Sequence, residues 1–217
     1  MAIIRGGIFG TVSGKAGDEV FSFARAREGK VNTVRRYVIP KNPRTAAQTI
    51  QRNKFLMSQE ITRRLGSDVY ADDWNRAIGQ LPGYQSMMSI FLGAAVDADT
   101  MGVPADTNLG TLPITTSFAV DPASADGQIT ITWSTTVPDG GTAADEVKIF
   151  VVEQDPGSDG QHQCLSKLSG LTRSTGTTTL TGCVSGASYT CCAWMVGAGV
   201  VSGKLSKARW FEGDAGD

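Results

Sequence analysis

No C-x-x-C spacing occurs in this chain, and His162 is its only histidine. A structural zinc site is therefore not expected. The four cysteines, Cys164, Cys183, Cys191 and Cys192, all lie in the second half. Cys191 and Cys192 are adjacent and would point to opposite faces of a strand, which rules against a bond between them. We read all four as reduced thiols made in a cytosol, with Cys191 a small core residue. No apolar run approaches the roughly 18 residues of a spanning helix, so no membrane partner is expected. The opening MAIIRGGIFG is interrupted by glycine and has no signal-peptide core.

Motifs for chemistry are also missing. Gly6, Gly7, Gly10 and Gly14 form neither G-x-x-x-x-G-K-[ST] nor G-x-G-x-x-G between a strand and a helix, and SGK at 13–15 simply recurs at 202–204. Asp72-Asp73, Asp97 with Asp99, and Asp145-Glu146 are carboxylate pairs expected on surfaces or loops. The stretch EQDPGSDGQ at 153–161 offers Asp155 and Asp159 to a cation but lacks EF-hand spacing, and reads as a solvated turn. The expectation is a chain with no catalytic residues, no cofactor and no metal site, and so not an enzyme.

Charge is distributed unevenly. Residues 1–65 carry 13 Lys and Arg against 4 Asp and Glu, giving +9, whereas 66–217 carry 7 against 17, giving −10. Such a split implies different partners for the two ends. The basic part ends in the stretch Val31–Leu65. Pro40 and Pro43 lack an N–H and push Ile39 and Asn42 out of the α region, so a strand must end and a helix must wait. Thr45 and Gln48 then form a T-x-x-Q capping box. Ile50, Met57, Ile61 and Leu65 fall on one face with Ala46 and Ala47, while Arg44, Arg52, Lys54, Arg63 and Arg64 lie off it.

Upstream, EVFSFARAR alternates, with Val20, Ser22, Ala24 and Ala26 on one side and Phe21, Phe23, Arg25 and Arg27 on the other. REGK offers a turn and VNTVRRYVI a return strand, so 19–39 reads as a β-hairpin too thin in apolar bulk to stand alone. Downstream, SDVYADDWNRAIGQL reads as a helix with Val69, Tyr70, Trp74, Ala77, Ile78 and Leu81 on an apolar face. Pro82-Gly83 breaks it, and YQSMMSIFLGAAV reads as a more hydrophobic helix buried through Met87, Met88, Ile90, Phe91 and Leu92. Residues 97–111 are acidic and small, a linker by composition. From Leu112 the period becomes two, in about seven short strands separated by Gly, Pro and Asp turns, which argues for a β-sandwich.

Two resemblances follow from these residues. Gly14, Lys15, Gly17, Val20, Phe21, Ser22, Val34, Arg35, Pro40, Asn42, Pro43, Thr45, Gln48 and Arg52 match a pattern G-K-x-G-x-x-V-F-S, V-R, P-x-N-P-x-T-x-x-Q-x-x-R. That pattern resembles a family of uncharacterised phage and prophage proteins, also found in Bacteroidetes genomes. Trp74 stands where such proteins have a Trp-containing helical segment. The family carries no catalytic residues to transfer, and the resemblance implies a virion or prophage structural component. Over 112–217, Trp133 at the end of the second strand and Tyr189 in TLTGCVSGASYTCCAW resemble the core tryptophan and tyrosine corner of a fibronectin type III module. Cys183 stands where a leucine is usual.

The expected fold class is α+β in two domains. Residues 1–96 form a basic β-arm and helical assembly domain, 97–111 a linker, and 112–217 an autonomous immunoglobulin- or fibronectin III-like sandwich. The expected function is structural, in a tailed-phage virion assembled in the bacterial host cytoplasm, as a head- or tail-associated minor capsid or decoration protein. Its partners are copies of itself and other virion proteins, with packaged nucleic acid a further partner of the basic region. The interface residues expected are Phe21, Phe23, Arg25, Arg27, Arg35, Arg36, Tyr37, Ile39, Arg44 and Arg52. The alternative is a nucleic-acid-binding protein using the same arginines as phosphate contacts.

Overall fold

The computed structural model describes residues 3–5, 11–16, 19–26, 29–37, 44–71, 73–75, 81–113, 117–121 and 124–216. It divides into two compact units, Met1–Arg44 and Thr45–Asp217. In the first, β1 (Ile3–Arg5), β2 (Thr11–Ala16), β3 (Glu19–Ala26) and β4 (Gly29–Arg36) form an antiparallel sheet in chain order. The expected hairpin is its last pair, in register from Glu19↔Arg36 to Ala26↔Gly29. It is not isolated, because β2 pairs with β3 from Gly14↔Phe21 to Ala16↔Glu19.

The second unit opens with α1 (Ala46–Leu65). Thr45 is its N-cap in extended conformation, and the Gln48 N–H donates to Thr45 Oγ1 at 3.3 Å, the Thr45 half of the capping box. Gly66 ends the helix at φ 79°, where a side chain would be strained. The buried face is Met57, Ser58, Ile61, Thr62 and Leu65. Ser58 and Thr62 donate to the carbonyls four residues back, at 2.8 and 2.7 Å, so their hydroxyls enter the core satisfied. Ile50, expected on this face, is 43% exposed: the stripe is right in angle, but the helix overhangs its support by its first turns.

The next helix is shorter than expected. α2 (Ser67–Tyr70) is a single turn, followed by a bend and a turn at 73–75, while Ala77 and Ile78 lie outside the described residues. Regular helix gives way because both Asp73 and Trp74 turn inward. Asp73 accepts from Lys148 Nζ at 2.6 Å and Trp194 Nε1 at 2.9 Å, and Trp74 is fully buried. Asp73 is thus a half-buried anchor rather than a surface carboxylate. α3 (Gly83–Ala94) buries Met87 and Phe91 as expected, but Met88, Ile90 and Leu92 are only half-buried, because the helix lies on the core with one face rather than being enclosed. Just past its C-terminus, Ala95 O and Val96 O accept from Lys54 Nζ at 2.9 and 2.7 Å, a favourable cation at a helix C-terminus.

Strands β5 (Thr107–Asn108), β6 (Phe118–Val120), β7 (Gln128–Trp133), β8 (Glu146–Glu153), β9 (Cys164–Lys167), β10 (Thr177–Thr181), β11 (Ser188–Val196) and β12 (Lys207–Asp214) follow. They form a three-stranded sheet β10-β7-β6 and a five-stranded sheet β5-β12-β11-β8-β9. The seven strands β6–β12 are the sandwich expected from the sequence, with fibronectin III-like order. Ile129, Ile131, Trp133, Val147, Ile149, Val151, Cys191, Ala193 and Met195 fill the space between the sheets.

The five-stranded sheet is buried on its other face as well. Phe150, Val152, Cys192, Trp194, Ala208 and Trp210 share a second core with Met57, Ile61, Leu65, Val69, Trp74, Met87 and Phe91. The helices are therefore a third layer on the sandwich. The contacts draw the boundary at 44/45, not at 96/97, and residues 97–111 are no loose linker. Met101 is buried, its N–H donates to Gln154 O at 2.8 Å, the Gly102 N–H to Ala94 O at 3.1 Å, and β5 pairs with β12.

Candidate assembly interface

With the observed boundary, the first unit holds 9 Lys and Arg against 3 Asp and Glu, a net +6, and the second 11 against 18, a net −7. The contrast in sign survives the correction of the boundary. The structure gathers five of the expected interface residues into one hairpin. Phe21, Phe23 and Arg25 alternate along β3 opposite Val34, Asn32 and Lys30, while Arg35 and Arg36 on β4 pair with Val20 and Glu19. Tyr37 follows β4, 41% exposed. Arg27 and Ile39 lie outside the described residues. Arg44 closes the first unit, and Arg52 belongs to the second, both exposed.

Three further residues were not expected at an interface: Ile50, which the sequence placed on the buried stripe, and Phe55 and Leu56, exposed by 43%, 43% and 59% between the start and the middle of α1. Large apolar side chains left in water along one helix mark a contact surface better than scattered ones. The available signal was Phe55-Leu56, two adjacent bulky residues off the buried stripe. Leu56 is a ridge between two shallow grooves. On one side lie Gln48, Gln51, Arg52 and Phe55; on the other lie Asn53, Met57, Glu60 and Asp99.

The buried ionic groups serve the fold. Asp145, expected on the surface, is fully buried with Arg173 at 3.0 Å. Burial pushes its carboxyl up, but hydrogen bonds from the Thr142 hydroxyl and N–H, the Ala198 N–H and Arg173 outweigh that and hold it below its usual range. Arg173 also donates to Pro113 O and Thr142 O, and its own carbonyl accepts from Trp133 Nε1 at 3.1 Å. Tyr189 Oη accepts from the Val184 N–H at 2.9 Å and donates to Gln163 Oε1, which makes the expected tyrosine corner real. Burial raises this phenol to about 12.

All four thiols are free. Burial pushes Cys164 up to about 12 and raises Cys183, Cys191 and Cys192, so each is held as an unreactive thiol. Cys191 and Cys192 do face opposite cores. In the 153–161 loop, Asp155 is exposed and Asp159 accepts from the Gln161 N–H at 3.0 Å, closing its own turn. Among the described residues no three His, Cys, Asp or Glu converge as metal ligands, and no helix is long and apolar enough to cross a membrane.

The chain matches no family model and no curated protein. Among solved structures it is similar to the fn3 domain of human collagen alpha-1(XX), at 14% identity over 47% of this chain and 83% of that one, with a TM-score of 0.32. It is similar to domains FN1–FN3 of chicken CNTN1, at 11% identity over 54% and 34%, with a TM-score of 0.34. It is also similar to the third fibronectin III domain of human KIAA0343 protein, at 15% identity over 48% and 82%, with a TM-score of 0.34. The sandwich assignment rests on strand order and the tyrosine corner.

Proposed function

We propose that this chain is a non-enzymatic structural protein of a tailed-phage particle, in the role of a minor capsid or decoration protein. Its N-terminal region anchors it to neighbouring subunits, and its acidic sandwich is displayed. The observation that carries this reading is the separation of a +6 four-stranded unit from a −7 unit that has two complete cores of its own. A basic element set apart from an acidic body is suited to docking on the acidic body of a neighbour. The motif resemblance over the first 55 or so residues supports the same reading. The +6 charge also favours a second reading, in which the first unit holds packaged nucleic acid.

The test is incorporation. The full chain and residues 45–217 are each supplied to a host producing particles, and purified particles are quantified by mass spectrometry. The full chain should be present at a defined copy number. Residues 45–217 should be folded by circular dichroism yet absent. Equal incorporation of the truncated chain would remove the anchoring role, and absence of the full chain would remove the virion reading. Steeply salt-dependent binding of the full chain to DNA, lost with residues 1–44, would favour the second reading.

A further inference from the structure

One end of the second unit holds all of its excess negative charge. β8 ends at Glu153 beside Tyr189, and β11 starts at Ser188 beside Asp214. The Met101 N–H donates to Gln154 O, and Asp126 bridges Gly216, so segments 96–102, 121–127, 153–163 and 212–216 meet at this end. Together they carry nine Asp and Glu and no Lys or Arg. The rest of the unit carries 9 against 11, a net +2. Arg64 borders the acidic end but is held by Glu60 at 2.9 Å.

A groove of about 260 Å³ opens here, between α1 and the β8–β9 loop. Leu56, Met57, Ala98 and Pro156 give it apolar walls, and Asp99 and His162 give it polar ones. Asp99 is exposed. His162 is only 2% exposed, and its Nδ1 lies 2.9 Å from Glu153 O. A carbonyl can only accept, so Nδ1 carries the proton, and in the neutral ring Nε2 is an acceptor. Among the described residues nothing donates to Nε2. A buried acceptor without a donor is costly, and this one belongs to a ring that lines the groove.

We propose that this groove receives an arginine or lysine side chain from the first unit of a second copy. A cation on a long aliphatic stem fits both linings, the stem along Leu56 and Met57 and the N–H groups toward His162 Nε2 and Asp99. The volume is below the roughly 300–1,000 Å³ of small-molecule sites and suits a single side chain. The +6 of the first unit supplies the occupant, and the acidic end steers it to the groove. Each copy offers one basic unit and one groove, so the contact is head-to-tail and association continues past the dimer. The inference rests on the anchoring reading above and names the surface that receives the anchor.

Sedimentation velocity on the full chain tests it, over a concentration series, with Asp99→Lys, Asp139→Lys and the double variant Arg36→Glu, Arg44→Glu. All four positions are exposed, so each variant should keep the native melting curve. The native chain should form oligomers larger than a dimer that dissociate as salt is raised. Asp99→Lys should weaken association about tenfold, and the double arginine variant should do the same. Asp139→Lys makes the same charge change in the β7–β8 loop, at the opposite end of the sandwich, and should have no effect. Mixing Asp99→Lys with the double arginine variant should give a dimer and nothing larger, because one chain keeps its basic unit and the other its groove. A native chain that stays monomeric, an equal loss from Asp139→Lys, or a mixture that fails to stop at the dimer would each overturn the assignment. The incorporation experiment above has its own outcome: loss of incorporation without residues 1–44 would leave the anchoring reading standing even if this groove were not the receiver.

Discussion

Phe150 and Val151 are neighbours on one strand, yet they belong to different cores, and the two cores are built differently. The inner face of the five-stranded sheet presents Val147, Ile149, Val151, Cys191, Ala193 and Met195 to the opposing sheet. The outer face presents Phe150, Trp194 and Trp210 to the helices, which add Trp74 and Phe91. Two facing sheets keep a near-constant gap of about 10 Å, filled here mostly by aliphatic side chains around Trp133 and Tyr189. Helices and an irregular turn leave a wider, uneven gap, filled here by rings packed edge-on, such as Trp74 on Trp194 at 5.6 Å and on Trp210 at 5.9 Å. The lesson is one of dependence. The outer face could be solvated in a free sandwich, but with these residues it cannot be.

The first way to break the comparison is to remove one side of it. A fragment of residues 112–217 exposes Phe150, Trp194 and Trp210 together and should aggregate or lose cooperative melting, where the sequence alone had suggested an autonomous domain. Next, Trp74→Ala should cost about 3–5 kcal/mol in chemical denaturation, because the indole fills the centre of the outer core. On the inner side, Asp145→Asn should cost about 3 kcal/mol at neutral pH, since it removes the carboxylate charge facing buried Arg173. Its pH dependence has a definite sign. The folded carboxyl sits below its unfolded value of about 3.9, so its stabilisation is present above that pH and is lost as pH falls through the lower folded value. Melting of the native chain should therefore drop on acidification more steeply than that of Asp145→Asn. The smallest effect should come from Lys54→Ala, about 0.3–1 kcal/mol, through the Ala95 and Val96 carbonyls just past the C-terminus of α3.

Local signals were legible in the sequence where a local cause decides the structure. Thr45 starts α1, seven strands fall where alternation and turns put them, and Tyr189 makes its corner because each depends on near neighbours. The third layer was not legible from period alone. Yet a trace was present: VKIFVV in β8 and YTCCAWMV in β11 are apolar at nearly every position, the mark of a strand buried on both faces. The early end of α2 depended on distant partners, Lys148 and Trp194 for Asp73, which no window around residue 73 contains. Of the expected interface, the hairpin was recovered as strand pairing, whereas Phe55 and Leu56 emerged only once burial showed which face of α1 was spoken for.

The central claim is that helices and sandwich are one folding unit, which leaves residues 1–44 as the separable element. Cys191 and Cys192 report on it directly, since adjacent thiols on β11 sit in the inner and outer cores respectively. The measurement is pulsed alkylation of the full chain across a urea titration, with the two sites resolved by fragment mass spectrometry. Both thiols should become reactive at the same urea concentration. Labelling of Cys192 at clearly lower urea than Cys191 would mean that the helices come away from a sandwich that survives without them, and would contradict the account.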